Sequence, residues 1–198
     1  ETDAGGLRWI NGIDLEHTSA TLKETQDTDF SPNQPAGVHY DYQVGATVGA
    51  LYSQLRTQNN SPWEIDGGIR FEYTNYDYDN KISDGSACGP EATNCRFYRP
   101  SDGENDFSDW SLNAGVSYSI NENHVAYLRL ARGFRAPQAT ELYRLQGGQE
   151  TANLDSEKID NIEVGFRSDW LGNAQYDAAV YYMHKNDVIF QDANRFNV

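Results

Sequence analysis

The segment from Trp110 to Ile120 alternates apolar and small polar residues at every position, and this is the strongest constraint on the fold. The apolar set is Trp110, Leu112, Ala114, Val116, Tyr118 and Ile120, and the polar set is Ser111, Asn113, Gly115, Ser117 and Ser119. Successive side chains of a β-strand point to opposite faces, whereas an α-helix repeats about every 3.6 residues. The segment is therefore predicted to be a strand with one apolar face.

The same alternation recurs along the chain and predicts seven strands and no helix. In the strand that begins at Trp63, one parity is apolar and the other is charged. The apolar residues are Trp63, Ile65, Ile69, Phe71 and Tyr73, and the charged ones are Glu64, Asp66, Arg70 and Glu72. The predicted strands are Leu7–Thr21, Tyr40–Thr57, the segment from Trp63, Trp110–Ile120, Val125–Gly133, Ile159–Trp170 and Gln175–Ile189. The fold class is therefore all-β.

Composition supports strands, and it argues against both a transmembrane helix and nucleic-acid binding. Of 198 residues, 13% are aromatic and 17 are Gly, which suits pleated surfaces joined by turns. No long apolar run is present, so a transmembrane helix is not expected, whereas membrane strands conceal their hydrophobicity by alternating. The formal net charge of −15 would repel a phosphate backbone, so nucleic acid is not an expected partner.

Three features favour an antiparallel transmembrane β-barrel over a soluble sandwich. Several predicted strands exceed the roughly 9–11 residues that a membrane strand needs, whereas most strands of globular proteins have about 5–6. Aromatic residues lie near strand ends on the apolar parity, as at a membrane interface. Connections alternate between short turns and long polar loops. The short ones lie at Gln58, Asn121 and Gly172, and the long ones near Asp27, Cys88 and Gln149.

A soluble β-sandwich, such as a carbohydrate-binding module, remains an alternative at this point, and so does a passive porin-like barrel. The sandwich predicts that the apolar parity from Leu112 to Ile120 is buried within the chain. The barrel predicts that this parity faces outer-membrane lipid and that the charged parity faces a wet lumen.

The only two cysteines, Cys88 and Cys95, lie close together in one polar loop. This spacing predicts a local disulfide in an oxidising compartment, because no CxxC pair or neighbouring His supplies the ligands of a zinc site. No metal site or cofactor is expected. No hydrolase, metalloprotease, phosphate-loop or dinucleotide motif is found, so no catalytic residue is assigned and the chain is not expected to be an enzyme.

The run from Tyr127 to Pro137 resembles the barrel of TonB-dependent outer-membrane receptors, in which a strand ends in a Gly-Phe-Arg-Ala-Pro-like motif. The motif positions here are Gly133, Phe134, Arg135, Ala136, Pro137, Glu141 and Leu142. The family's downstream re-entry pattern is matched by Asn153, Leu154, Glu157, Glu163 and Gly165, with Ser156 where Pro is usual. The segment Gly68–Tyr73 also looks like a strand of such barrels.

The resemblance implies a segment of a larger barrel, of the 22-stranded type, located in the bacterial outer membrane. It implies that residues 1–198 form part of a barrel domain and include no plug domain. The implied function is import of a scarce nutrient, a ferric siderophore or similar compound, with TonB acting through a plug domain absent from this chain.

Five residues are candidates for contact with that ligand. They are Arg96, Tyr98, Arg99, Arg132 and Arg135. The first three follow the cysteine loop, and loops on a rigid scaffold carry recognition. The last two bracket Gly133 at a strand end, where the alternative role is bracing the loop base through Glu141.

Overall fold

The computed structural model describes residues 2–4, 6–57, 61–90, 92, 94–147, 149, 152–170 and 174–190. Its elements in chain order are β1 (Thr2–Ala4), β2 (Leu7–Gln26), β3 (Gly37–Thr57), β4 (Trp63–Asn80), β5 (Gly85–Ser86), β6 (Tyr98–Arg99), β7 (Gly103–Asn121), β8 (His124–Arg135), α1 (Ala139–Tyr143), β9 (Glu157–Trp170) and β10 (Ala174–Asn186).

One antiparallel sheet contains all the long strands. Its order is β1-β2-β3-β4-β7-β8-β9-β10, so strands that follow one another in this sheet are hydrogen-bonded neighbours. Strands β5 and β6 form a separate two-stranded ribbon within one connection. Within the described part of the chain, β1 and β10 occupy the two edges, and the sheet does not close on itself. The seven predicted strands and the all-β class are confirmed.

Three strands extend at one end by three residues or more beyond what their alternation predicted, and β8 and β9 extend by two. Strand β2 continues to Gln26 instead of Thr21, β3 begins at Gly37 instead of Tyr40, and β7 begins at Gly103 instead of Trp110. Backbone pairing continues through these polar ends, because hydrogen bonds between strands do not require apolar side chains. The last strand ends earlier, at Asn186 instead of Ile189, where Asp187 adopts a positive φ of 54°.

The prediction of no helix was wrong, because α1 follows the Pro137 motif. It has only five residues, and Gln138 and Glu141 form a capping box at its start. Five residues are too few to show a helical period, and such a short helix depends on tertiary packing. No helix in the described part of the chain has the length and apolarity needed to span a membrane.

The sheet has an apolar face and a polar face, as the parity predicted. Ile13, Leu51, Phe71 and Trp110 are register partners in one row of the apolar face. The side chains of this face are left open, with Ile13 70% and Leu15 83% exposed. On β7, Trp110, Tyr118 and Ile120 are exposed as well. The chain therefore does not bury this parity as a soluble sandwich would.

The polar face contains ion pairs and two places where a tyrosine lies over a glycine. Arg70 contacts Asp14 and Glu72, and Arg167 pairs with Asp177 at 2.6 Å. Tyr52 lies over Gly12 and Tyr127 over Gly165; at each glycine, an added Cβ would lie 2.2 Å from the ring. Any larger residue at these two positions would displace the tyrosine.

The buried core lies at one end of the polar face, beneath the long connections. We call these connections the cap, defined as the described residues of 27–36, 81–102 and 136–156. The core residues are Tyr40, Tyr42, Val44, Tyr78, Phe97, Leu142 and Tyr143. Strands β3 and β4 supply four of them and the cap supplies three. The cap is therefore packed onto the sheet.

The predicted contrast between long and short connections is confirmed where the structure describes it. The three long connections all follow strands that end on the same side of the sheet. On the other side, Asn121 begins a tight turn between β7 and β8. The predicted turns at Gln58 and Gly172 lie outside the described residues.

Candidate functional site

A cavity of about 370 Å³ opens between the cap and the adjoining end of the polar face. Its polar lining consists of two guanidiniums, one carboxylate and three carboxamides. These belong to Arg96, Arg144, Glu24, Gln26, Gln34 and Gln146, and the rings of Tyr40 and Phe97 complete the wall. The end of β2 and all three long connections contribute to this lining, so the cavity exists only because the cap is folded.

Hydrogen bonds to the backbone hold the aromatic wall of the cavity in place. The Tyr40 hydroxyl donates to the carbonyl of Leu145, and the Tyr98 N–H donates to the same carbonyl at 3.1 Å. The Phe97 ring stacks on His39 with centroids 3.6 Å apart. Burial of Phe97 and Leu145 fixes the positions of Arg96 and Gln146, which are their respective neighbours in sequence.

The two guanidiniums of the cavity differ in their partners. Arg144 is paired with Glu24 through Nε at 3.0 Å and Nη2 at 2.5 Å. Among the described residues, the Arg96 side chain has no hydrogen bond or ion pair. The cavity therefore carries two cationic groups and one carboxylate, which is a local excess of one positive charge in an acidic chain.

Arg99, a predicted ligand contact, is buried in the cap. Its guanidinium donates to the carbonyls of His39 at 2.9 Å, Val38 at 2.7 Å and Ser83 at 3.2 Å. Burial lowers the pKa of Arg99, because removal from water disfavours the charged form. The guanidinium joins the start of β3 to the connection after β4 and does not line the cavity.

Arg132 and Arg135 lie on opposite faces of β8, as an odd spacing in a strand requires. Arg132 is on the apolar face, 3.4 Å from Asp160, and its guanidinium carbon is 4.4 Å from the ring centroid of Trp110. Arg135 is on the polar face. Neither residue lines the cavity, and Tyr98 does not line it either. Of the five candidates, the structure brings only Arg96 to this site.

The predicted disulfide between Cys88 and Cys95 is confirmed, with Cα atoms 5.6 Å apart. It closes a short loop immediately before Arg96, a constraint of about 2 kcal/mol on the unfolded chain. The Arg96 backbone is also bonded to both other connections. Its N–H donates to the Asn33 carbonyl at 3.1 Å, and its carbonyl accepts from the Gly147 N–H at 3.2 Å.

Arg135 performs the loop-base role considered in the sequence analysis. Its two Nη atoms donate to both oxygens of Glu141 at 2.9 and 3.1 Å, and its Nε donates to Glu157 at 2.9 Å. Glu141 also accepts the Gln138 N–H at the start of α1, at 2.6 Å. One guanidinium therefore joins the end of β8, the helix and the start of β9. We call this group the arginine clasp.

Other members of the motif are buried around the clasp. Pro137 is fully buried, and Leu142 enters the tyrosine-rich core. The Tyr143 ring stacks on Tyr78 with centroids 4.3 Å apart, and its hydroxyl donates to Asn105 at 2.8 Å. Burial raises the pKa of Tyr143 well above its ordinary value. The motif thus ends a strand and anchors the residues that carry Arg144.

Of the cavity residues, only Arg96 was a candidate from the sequence, and the two other charged ones, Glu24 and Arg144, were missed. Their ion pair joins residues separated by 120 positions, and neither lies in a recognisable motif. Arg144 did offer one signal, because it directly follows the Glu-Leu-Tyr of the receptor-like motif.

A family model described as TonB dependent receptor-like, beta-barrel, matches residues 2–198. The chain belongs to the TonB-dependent receptor family. Members of this family are receptors and transporters of the bacterial outer membrane, so the receptor segment described here is located there, as predicted. Such receptors bind a nutrient and TonB. A search of the curated proteins found no match.

Solved structures of receptors share this fold at low sequence identity. The ferric yersiniabactin uptake receptor FyuA from Yersinia pestis is 19% identical with a TM-score of 0.61, and the match covers 96% of this chain and 28% of that receptor. The ferric-catecholate import receptor Fiu from E. coli K12, in its closed form, is 16% identical with a TM-score of 0.66, at 99% and 31% coverage. The copper transporter OprC is 14% identical with a TM-score of 0.69, at 94% and 29% coverage. The receptor segment spans less than a third of these structures.

Family membership assigns the apolar face of the sheet to lipid. On β4 this face runs from Trp63 to Tyr73, a rise of about 33 Å at 3.3 Å per residue. A tilt of about 40° reduces this to about 25 Å, the height of the apolar band of outer-membrane barrels. Beyond Tyr73 the same parity continues with Asn75 and Asp77, so the cap end of the strands extends past the lipid.

A charge placed on the lipid face should destabilise the barrel, whereas the same charge on the polar face should not. We expect Ile69→Arg, midway along the apolar band, to lower the free energy of unfolding by about 2–4 kcal/mol. Ala131→Arg, on the polar face opposite Asn113, should change it by less than about 0.5 kcal/mol. Urea unfolding of the intact receptor in lipid vesicles measures both. Equal losses would contradict the assignment of the faces.

Proposed function

We propose that this chain forms part of the barrel wall and the cap of an energy-coupled importer, and that the imported nutrient is a ferric siderophore. The observation that carries the proposal is the polar cavity enclosed by three long connections at one end of a lipid-facing wall. A passive pore would gain nothing from such a packed cap, whereas a receptor needs a site that holds its ligand before transport. Two of the similar structures are named as a ferric yersiniabactin uptake receptor and a ferric-catecholate import receptor, which supports an iron chelate as the nutrient.

In this proposal the remaining barrel and the plug belong to parts of the receptor outside residues 1–198. A second cavity of about 690 Å³ lies at the other end of the polar face, lined by charged residues that include Arg56, Asp66 and Arg129. We assign this surface to the plug, since charged groups facing a protein plug can be paired. TonB would act on that plug, and the wall described here would stay fixed during transport.

Uptake of radiolabelled iron tests the proposal. Cells carrying the intact receptor are supplied with ferric siderophores, in a strain with TonB and in a matched strain without it. We expect uptake that depends on both the receptor and TonB. Receptor-dependent uptake that persists without TonB would instead indicate a passive porin-like barrel. Copper complexes are tested as well, because one similar structure is a copper transporter. TonB-dependent uptake of copper complexes in place of iron would refute the siderophore assignment and leave energy-coupled import in place.

A further inference from the structure

We infer that the cap cavity selects chelates by charge, taking an anionic group of the ligand against Arg96 and Arg144. This inference rests on the proposed import function and adds to it the chemical class of the substrate. The lining contributes two guanidiniums and one carboxylate, and its other polar groups are uncharged carboxamides. A negatively charged group therefore restores neutrality inside the cavity, whereas a cationic ligand would increase the excess charge.

Arg96 is the guanidinium free to bind this group. A guanidinium carries five N–H donors, and among the described residues the Arg96 side chain uses none of them. Its backbone is fixed at both ends, to Asn33 and Gly147, and the disulfide closes the preceding loop. The side chain is thus presented from a fixed base, which reduces the entropy lost when a ligand binds.

Arg144 supplies the second cationic contact without leaving Glu24. Its Nε and Nη2 both donate to one oxygen of Glu24, so Nη1 is not used in that pair. An anionic group in the cavity can therefore accept hydrogen bonds from both arginines, while the carboxamides of Gln26, Gln34 and Gln146 form an uncharged polar wall around it.

The size of the cavity limits what enters it. A volume of about 370 Å³ corresponds to roughly a dozen water molecules at about 30 Å³ each. This accommodates one chelating arm, such as a catecholate or carboxylate group, and not a whole metal complex. The metal centre would then lie at the mouth of the cavity.

The test compares two ferric complexes of different charge on the intact receptor. The probes are an anionic ferric tris-catecholate and an uncharged ferric tris-hydroxamate, with binding followed by quenching of tryptophan fluorescence. We expect the anionic complex to bind at least about tenfold more tightly, and Arg96→Gln to remove most of that difference without changing the affinity for the uncharged complex. Arg96→Lys should retain part of the preference. Raising the salt concentration should weaken binding of the anionic complex alone.

A matched control separates the cavity from general electrostatics. Lys81→Gln removes one positive charge from the same connection, at a residue that pairs with Asp79 outside the cavity. It should leave both affinities unchanged. Equal weakening of both complexes by Arg96→Gln, or tighter binding of the uncharged complex by the unaltered receptor, would overturn the inference while leaving ferric siderophore import intact. Failure of the receptor to bind or import either complex would overturn import and inference together.

Discussion

Replacing Tyr143 by Ala should release the cap from the sheet, with a local loss of about 3–5 kcal/mol, the cost of deleting a buried aromatic ring. Tyr143 is 4% exposed, stacks on Tyr78 and donates to Asn105. Helix α1 has five residues and cannot persist without this anchor. Its loss should also free Arg144 and Gln146, which follow the helix and line the cavity.

Hydrogen exchange of the intact receptor measures this effect. In Tyr143→Ala, the amide of Leu142, which bonds to the Gln138 carbonyl, and that of Tyr98, which bonds to Leu145, should lose protection. Amides in the lipid-spanning part of β4 should keep theirs. Tyr143→Phe is the matched control: it keeps the ring and loses one hydrogen bond, so a cost of about 1 kcal/mol is expected. Unchanged protection in Tyr143→Ala would show that the tyrosine stack does not hold the cap.

Replacing Arg135 by Gln should open the arginine clasp at a cost of about 2–3 kcal/mol. The residue makes three charge-assisted hydrogen bonds, and Glu141 and Glu157 share its positive charge. Without it, two nearby carboxylates lose their common cation, and the start of α1 is no longer tied to β8 and β9. Ligand affinity should fall as well, although Arg135 does not line the cavity, because α1 carries the chain into Arg144.

Two other substitutions test whether the clasp geometry matters. Arg135→Lys keeps the charge but cannot form the two-pronged contact with Glu141, so an intermediate loss is expected. Arg132→Gln, on the same strand but the opposite face, removes an ion pair of 3.4 Å with Asp160 and a contact of 4.4 Å with the Trp110 ring, and should cost about 1 kcal/mol. A double-mutant cycle between Arg135→Gln and Arg144→Gln on ligand affinity should be non-additive. Additive effects, or an equal loss from Arg132→Gln, would show that Arg135 does not position the cavity.

For Arg132 and Arg135, the local sequence predicts the face of the strand but not the partners of each side chain. Their spacing of three residues in a strand already places them on opposite faces, yet the sequence analysis grouped them as one candidate site. The structure assigns Arg135 to the clasp and Arg132 to the lipid side near Trp110. Which carboxylates each one meets depends on the register between β8 and β9, and no local pattern contains that information.

Strand ends and the short helix were missed for a related reason. The predicted boundaries followed the apolar alternation, which stops where the strands leave the lipid, as between Gly103 and Trp110 on β7. Past that level, pairing depends on backbone hydrogen bonds and on burial beneath the cap. Helix α1 is likewise stabilised by Leu142 and Tyr143 packing into a core whose other half lies on β3 and β4.

The sequence by itself determined the seven strands, the two faces of the wall, the disulfide and the family. Each of these features depends on residues that are close together in the sequence. A lipid-facing strand must alternate apolar and polar residues, and two cysteines close in sequence can pair without a distant partner. The tertiary structure alone decided the cavity, in which Glu24 meets Arg144 across 120 residues and Arg96 is presented without a partner among the described residues. Such a site arises where connections from different strands fold together, and the relative positions of those connections are set by sheet register and packing.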